Sequence, residues 1–232
     1  MSSLQQSSER KEPGVWTVPN ILTMARIVLS IVMFCLLPFG YYIASLVIFV
    51  VAVLTDKLDG WYARKYNLVS KLGRIMDPFA DKLIICGTFI YLVGMAPLTV
   101  VPWGLRAWMV VVLVVREMLV TTLRSIIEGA GGDFSATWPG KIKMVFQSIA
   151  AAFCLLYMCF PPVGEGVLAT TAPVWVVWVM IATLWITVVS TVYSGLLYID
   201  AAIRALSKPK SDGDDTMDED AISESTSPTL PR

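Results

Sequence analysis

Four aspartates, Asp56, Asp59, Asp77 and Asp81, stand within the run TDKLDGWYARKYNLVSKLGRIMDPFAD, where two long apolar segments approach each other. At about 100° per residue on a helix, Asp56, Asp59, Gly60, Ala63 and Arg64 fall at i, i+3, i+4, i+7 and i+8 and share one face. Gly73, Asp77 and Asp81 repeat the arrangement at i, i+4 and i+8 on the next helix. Carboxylates flanked by apolar sequence are costly to leave unpaired, so two helical faces carrying four of them require cations between them. A pair of divalent metal ions meets that requirement, and hard oxygen ligands select Mg²⁺ or Mn²⁺ over zinc or copper. The chain has no histidine, which leaves carboxylates to serve both as metal ligands and as general base. Two metals held by bridging carboxylates would clamp a pyrophosphate and stabilise charge developing on a leaving phosphate. Gly60 and Ala63 lack bulk on that face, so a flat base or a ribose can approach the backbone. Arg64, one turn on, can fork onto a pyrophosphate. Gly73 admits either the facing helix or the nucleotide.

The elements that must position these residues are membrane-length helices. Of 232 residues, 56% are hydrophobic and 16% charged, and the mean hydropathy is +0.68, values that belong to integral membrane proteins. Six apolar runs are long enough to cross a hydrocarbon layer of ~30 Å: Ile21 to Pro38, Tyr41 to Tyr62, Arg74 to Met95, Pro102 to Ile127, Lys141 to Phe160 and Val174 to Leu206. The sequence thus predicts an all-α polytopic membrane protein with six transmembrane helices and both termini on one side. Arg10, Lys11, Arg64, Lys65, Lys71, Arg74, Arg124, Lys141, Lys143, Arg204, Lys208 and Lys210 all fall on the terminal side, whereas the opposite loops carry only Arg106 and Glu165. The positive-inside rule makes the termini and the aspartates cytoplasmic.

Three regions follow. Residues 1–20 form a polar cytoplasmic segment with a short interfacial helix in VWTVPNILTMAR, anchored by Trp16. No cleavable signal peptide is expected there, because the segment lacks an apolar core. Residues 21–206 form the membrane domain. Residues 207–232 hold seven of the eighteen acidic residues and almost no large apolar ones, so a disordered acidic tail is expected. The remainder carries fifteen basic against eleven acidic residues. Cys35, Cys86, Cys154 and Cys159 are scattered through apolar stretches and are read as small core residues. The tryptophans at 103, 108, 138, 175, 178 and 185 are read as belt and packing residues.

The pattern Asp56-x2-Asp59-Gly60-x2-Ala63-Arg64-x8-Gly73-x3-Asp77-x3-Asp81 resembles the signature of the CDP-alcohol phosphotransferase family, whose members join a CDP-activated group to an alcohol in the membrane, and fills every position of it. The resemblance implies that Asp56, Asp59, Asp77 and Asp81 hold two divalent ions, Mg²⁺ or Mn²⁺. It further implies that Asp81 also takes the proton of the incoming alcohol as general base, and that Gly60, Ala63, Arg64 and Gly73 contact the CDP pyrophosphate. Asn20 and Thr23, in the fragment VPNILTMAR, are placed on the CDP side by the same resemblance.

The acceptor is addressed by REMLVTTLRSIIEGAGGDFSATWPGKIKM. Arg116 and Arg124, eight residues apart, share a helix face, and Lys141 and Lys143 open the next helix after a glycine-rich turn. Arg116 lies inside the apolar run VVLVVREMLV, where an arginine needs an anionic partner. Lys143 and Arg74 serve equally well as orienting charges. This stretch, with YSGLLYI in the last span, is similar to the members of the family that act on glycerol 3-phosphate, although Leu197 stands where those enzymes often carry an acidic residue. On that resemblance Arg116, Arg124 and Lys141 bind the acceptor phosphate. The same resemblance implies transfer of the phosphatidyl group from CDP-diacylglycerol to glycerol 3-phosphate, giving phosphatidylglycerol phosphate and CMP. The implied partners are those two substrates, the bilayer of a bacterial-type inner membrane and a second copy of the chain as a homodimer, and not nucleic acid. The same chemistry with another acceptor, as in phosphatidylserine, cardiolipin or phosphatidylinositol-phosphate synthases, and a divalent-cation transporter are the alternatives.

Overall fold

The structure, a computed structural model, describes residues 18–66, 71–129, 138–161 and 171–206. Among the described residues there is no strand, in keeping with the all-α expectation. Six long helices carry the chain: α1 (Val18–Leu36), α2 (Tyr42–Tyr66), α3 (Lys71–Val93), α5 (Ala107–Gly129), α6 (Trp138–Met158) and α7 (Val174–Leu206), with a short α4 (Ala96–Val100) after α3. They coincide with the six apolar runs to within a few residues at most ends. The fourth differs most, because Pro102 to Arg106 form a turn and the helix starts only at Ala107. Pro19 lies in the first turn of α1, where its missing N–H costs nothing. The separate interfacial helix expected in VWTVPNILTMAR is not seen among the described residues, because Val18 to Arg26 run on without a break as the opening turns of α1; the residues before Val18, and the tail from residue 207, lie outside the described residues.

The helices close into a ring: α1 packs on α2, α2 on α6, α6 on α7, α7 on α5, α5 on α3, and α3 back on α1. A further contact of α3 with α6 runs across the middle. Inside, Met33, Leu37, Phe49, Ile84, Phe89 and Leu92 are buried. The interior also takes hydroxyls, some returned to their own helix: Ser30 donates to the Arg26 carbonyl at 2.8 Å and Thr88 to the Ile84 carbonyl at 2.6 Å. That habit lets a polar side chain be buried without an unmet donor. Outside, large apolar side chains such as Val28, Ile31, Val47, Ile90, Val111, Val115, Val189 and Leu196 are exposed along the helices. Hydroxyls buried among apolar side chains inside, with large apolar side chains exposed outside, suit helices that pack in hydrocarbon. By length and apolar composition Asn20–Phe39 and Val174–Arg204 are each able to cross a membrane, and Tyr42–Asp56 and Ile142–Met158 are shorter apolar stretches.

Phe89, fully buried on α3, supplies a check on this packing. Phe89→Ala is expected to cost about 3 kcal/mol through the cavity it leaves, seen as a lower midpoint of thermal unfolding in detergent. An unchanged midpoint would place Phe89 outside the core.

Candidate active site

The aspartates are joined through α1. Thr23 and Arg26 sit three residues apart and are buried between α2 and α3. Thr23 Oγ1 donates to Asp77 Oδ1 on α3 at 2.5 Å. Arg26 Nη1 donates to Asp56 Oδ1 on α2 in an ion pair. Neighbouring positions on one face of α1 thus reach two different helices, which hardly touch each other directly among the described residues. Asn20, one turn before Thr23, is buried on the same helix. The Arg26 side chain is 1% exposed and that of Asp56 33%, so the carboxylate faces an opening while its counter-charge is sealed.

Asp81, one turn after Asp77 on α3, is half-buried and lies within electrostatic range of Asp56, Arg26, Lys82 and Lys143. Pro78 stands between the two α3 aspartates. Its ring removes one helical N–H and frees a carbonyl of the preceding turn. Three of the four predicted aspartates are therefore gathered at the meeting of α1, α2 and α3. Beyond their helical backbone, nothing of Asp59, Gly60, Ala63, Arg64, Gly73 and Lys141 lies within the described residues. No three acidic, cysteine or histidine side chains converge on one point among the described residues.

A second cluster adjoins the first. Arg116 donates through Nη1 to Glu117 at 3.0 Å and through Nη2 to Ser194 Oγ on α7 at 2.9 Å, and its guanidinium lies 5.5 Å from the centre of the Tyr198 ring. Arg124 Nη2 donates to Tyr198 Oη at 3.4 Å. The two arginines predicted to act together are thus brought together, on one tyrosine. Lys143, whose role the sequence leaves open, is fully buried and ion-paired with Glu117. Lys82 Nζ donates to Thr121 Oγ1, which donates to the Glu117 carbonyl at 2.7 Å. Gly195 allows this closeness, since a Cβ there would stand 3.3 Å from Arg116 Cγ.

Lys82, Arg116, Arg124 and Lys143 lie within electrostatic range of one another, with Glu117 and Asp81 as the carboxylates among them. Among the described side chains, four cations against two carboxylates leave a positive surplus. The Nε atoms of Arg116 and Arg124 are also buried without a hydrogen-bond partner. Buried donors of positive charge with unused capacity are groups that a small anion can satisfy. Sequence reasoning missed Arg26, Lys82, Ser194 and Tyr198. Arg26 carries the same signal that singled out Arg116, an arginine inside an apolar run, TMARIVLSIV.

Fold and side chains together define an all-helical protein in which a group of carboxylates and a cluster of cations adjoin along α3. Residues 16–193 match the family model described as CDP-alcohol phosphatidyltransferase. The CDP-diacylglycerol–glycerol-3-phosphate 3-phosphatidyltransferase of Bacillus subtilis is 34% identical over 209 residues, covering 83% of this chain and 98% of the relative. A probable phosphatidylglycerophosphate synthase of Mycobacterium tuberculosis is 32% identical over 191 residues, covering 80% and 81%. A further CDP-diacylglycerol–glycerol-3-phosphate 3-phosphatidyltransferase, from Salmonella choleraesuis, is 27% identical over 196 residues, covering 81% and 95%. The chain belongs to the CDP-alcohol phosphatidyltransferase family, and it is an enzyme of that class rather than a cation carrier.

Glu117 neutralises two buried cations, so Glu117→Gln is expected to destabilise by about 3 kcal/mol by leaving Lys143 without a counter-charge. Lys143→Met in the same chain should recover part of the loss, read from thermal unfolding of the single and double variants. If the second change recovers nothing, the ion pair does not hold α5 to α6.

Proposed function

We propose that this chain transfers the phosphatidyl group of CDP-diacylglycerol to glycerol 3-phosphate, releasing CMP and forming phosphatidylglycerol phosphate. The observation that carries this reading is the cluster of Arg116, Arg124, Lys143 and Lys82 beside Asp81. An acceptor that bears a phosphate needs such a pocket, whereas serine, a zwitterion, does not. The relatives that carry glycerol 3-phosphate in their names, at 34% and 27% identity over most of the chain, support the same acceptor.

In this reading all six long helices cross the bilayer of a bacterial-type inner membrane, with the aspartates and both termini facing the cytoplasm. The apolar exterior and the asymmetry of lysine and arginine between the loops support that orientation. Lateral entry brings CDP-diacylglycerol from the leaflet, and the acceptor arrives from the cytosol.

The donor chemistry of the first cluster fits a pair of divalent ions: the side chains of Asp56 and Asp77 offer only hard oxygens and are open on one side, and Asp81 lies beside them. Asp56, Asp59, Asp77 and Asp81 would hold Mg²⁺ or Mn²⁺, which neutralises pyrophosphate charge when bound. The chain's own residues do the rest. Arg26 and Thr23 fix Asp56 and Asp77 from α1. Gly60, Ala63, Arg64 and Gly73, with Asn20 and Thr23, form the nucleotide side. Arg116, Arg124 and Lys143 bind the acceptor phosphate, joined by Lys141, with Tyr198 and Ser194 holding the arginines in place. The free primary hydroxyl of the acceptor then points at the phosphorus that bears diacylglycerol. Its oxygen forms the new P–O bond, its proton passes to the Asp81 carboxylate, and the bond from that phosphorus to the CMP oxygen breaks. A second copy of the chain as homodimer partner belongs to the same proposal.

Purified protein with Mg²⁺ is expected to release CMP from CDP-diacylglycerol only when glycerol 3-phosphate is present. A preference for serine or an inositol phosphate would reject the acceptor. Chelation of divalent ions should stop turnover, and Asp77→Asn should lower kcat by at least about a thousandfold, the scale on which loss of a central electrostatic group acts. An Asp77→Asn enzyme of normal rate would remove Asp77 from the metal site. Arg124→Ala is expected to raise KM for glycerol 3-phosphate about tenfold or more while leaving KM for CDP-diacylglycerol unchanged, as loss of a charge-assisted hydrogen bond to one substrate requires. Equal changes in both constants would move Arg124 out of the acceptor pocket.

A further inference from the structure

At the other end of α5, the turn from Val101 to Gly104 has an unusual occupant. Gly104 N–H donates to the Val101 carbonyl at 2.9 Å, Pro102 holds the second position, and Trp103 at the third has φ +62°. This is the pattern of a type II turn, whose third position favours glycine because a Cβ is strained at positive φ. Glycine comes one residue later, where the backbone is so close that a Cβ would meet the Leu98 carbonyl at 2.6 Å. A tryptophan in a strained turn position persists only where surrounding contacts hold it. Here Trp185 Nε1 donates to the Trp103 carbonyl at 3.2 Å, and the Trp185 ring lies 6.1 Å from that of Trp103 and 6.0 Å from that of Trp108.

These three rings, with Pro102, Arg106 and Met109, line an open cavity of about 390 Å³, a size that accommodates a small ligand. Trp103 and Arg106 are exposed at its mouth. Among the described residues the Arg106 guanidinium has neither a carboxylate nor a hydrogen-bond partner. Arg106 is the one basic residue in the loops opposite the termini, and it precedes the first turn of α5, whose leading N–H groups favour an anion. It stands eighteen residues before Arg124, about 27 Å along the helix at 1.5 Å per residue. The cavity is therefore remote from the aspartates, at the depth where tryptophans meet lipid head groups.

We propose that this cavity binds the head group of an anionic phospholipid in the leaflet opposite the aspartates, with Arg106 on the phosphate and the tryptophan rings against the glycerol and upper acyl chains. The proposal rests on the six-span reading, which sets this turn at the far interface. Charge complementarity selects the occupant: a cation that has no carboxylate partner among the described residues, set beside aromatic walls, favours a lipid with net negative charge over a zwitterionic one. The site is separate from the transfer reaction, so its occupancy does not require CMP release.

The test uses the protein in phosphatidylcholine nanodiscs, with the five tryptophans outside the cavity replaced by phenylalanine, so that Trp103, Trp108 and Trp185 report. Acyl-chain-brominated phosphatidylglycerol is expected to reach half-maximal quenching at a mole fraction several-fold below that of brominated phosphatidylcholine, and Arg106→Gln should abolish the difference. Equal quenching by the two lipids, or a preference that survives Arg106→Gln, overturns the site while leaving the spanning topology intact. Absence of quenching by either lipid overturns the topology itself. If the replaced chain does not fold, native mass spectrometry of the otherwise unaltered protein decides: Arg106→Gln should retain one fewer phosphatidylglycerol per chain, and equal retention overturns the site.

Discussion

A charge buried among apolar helices must find its counter-charge inside the protein, since neither lipid nor an apolar core solvates it. That constraint accounts for how the helices meet. Arg26 on α1 is matched by Asp56 on α2, Thr23 on α1 by Asp77 on α3, and Lys143 on α6 by Glu117 on α5. Arg116 on α5 is shared between Glu117 and the Ser194 and Tyr198 side chains of α7. All of these contacts except Arg116–Glu117 join one helix to another, and apolar packing alone, which is permissive about register in hydrocarbon, would not specify these partners. Dispersion holds the bundle together; the charges set which faces look inward.

Those compensations are incomplete on both sides of α3, and the incompleteness is what makes the site chemically useful. Among the described side chains, Asp56, Asp77 and Asp81 outnumber the cations toward α2, and Lys82, Arg116, Arg124 and Lys143 outnumber the carboxylates toward α5 and α6. Asp81 and Lys82 are consecutive residues at the join between the two regions. A group transfer between two phosphate-bearing molecules calls for such an arrangement, because each anion must be held while a proton leaves the hydroxyl between them. Tyr198 and Gly195 on α7 act as the back wall, one tying both arginines together and the other letting α7 come close enough to do so.

Much of this was legible in the sequence because chemistry and periodicity coincided. The helical spacing of Asp77 and Asp81 placed them one turn apart on α3, and the eight-residue interval between Arg116 and Arg124 foretold that they lie on one face, where both meet Tyr198. The six long helices followed from six apolar runs. What escaped was pairing across helices. Nothing in the spacing of α1 says that Thr23 would reach α3 while Arg26, three residues on, would reach α2. Nor does the sequence say that Lys143, which serves there equally well as an orienting charge, is ion-paired with Glu117 in the core. Trp103 escaped for a different reason: a tryptophan near a membrane boundary is ordinary, and only the backbone dihedral angle reveals that the chain is strained to place it.

The central claim is that carboxylates from α2 and α3 converge on paired divalent ions. Anomalous scattering from crystals of the protein grown with Mn²⁺ and a non-hydrolysable CDP-lipid tests it most directly. The account predicts two manganese peaks between α2 and α3, with Asp56, Asp59, Asp77 and Asp81 as ligands at distances of about 2.0–2.6 Å. Density for the nucleotide with no manganese among those four side chains would contradict it.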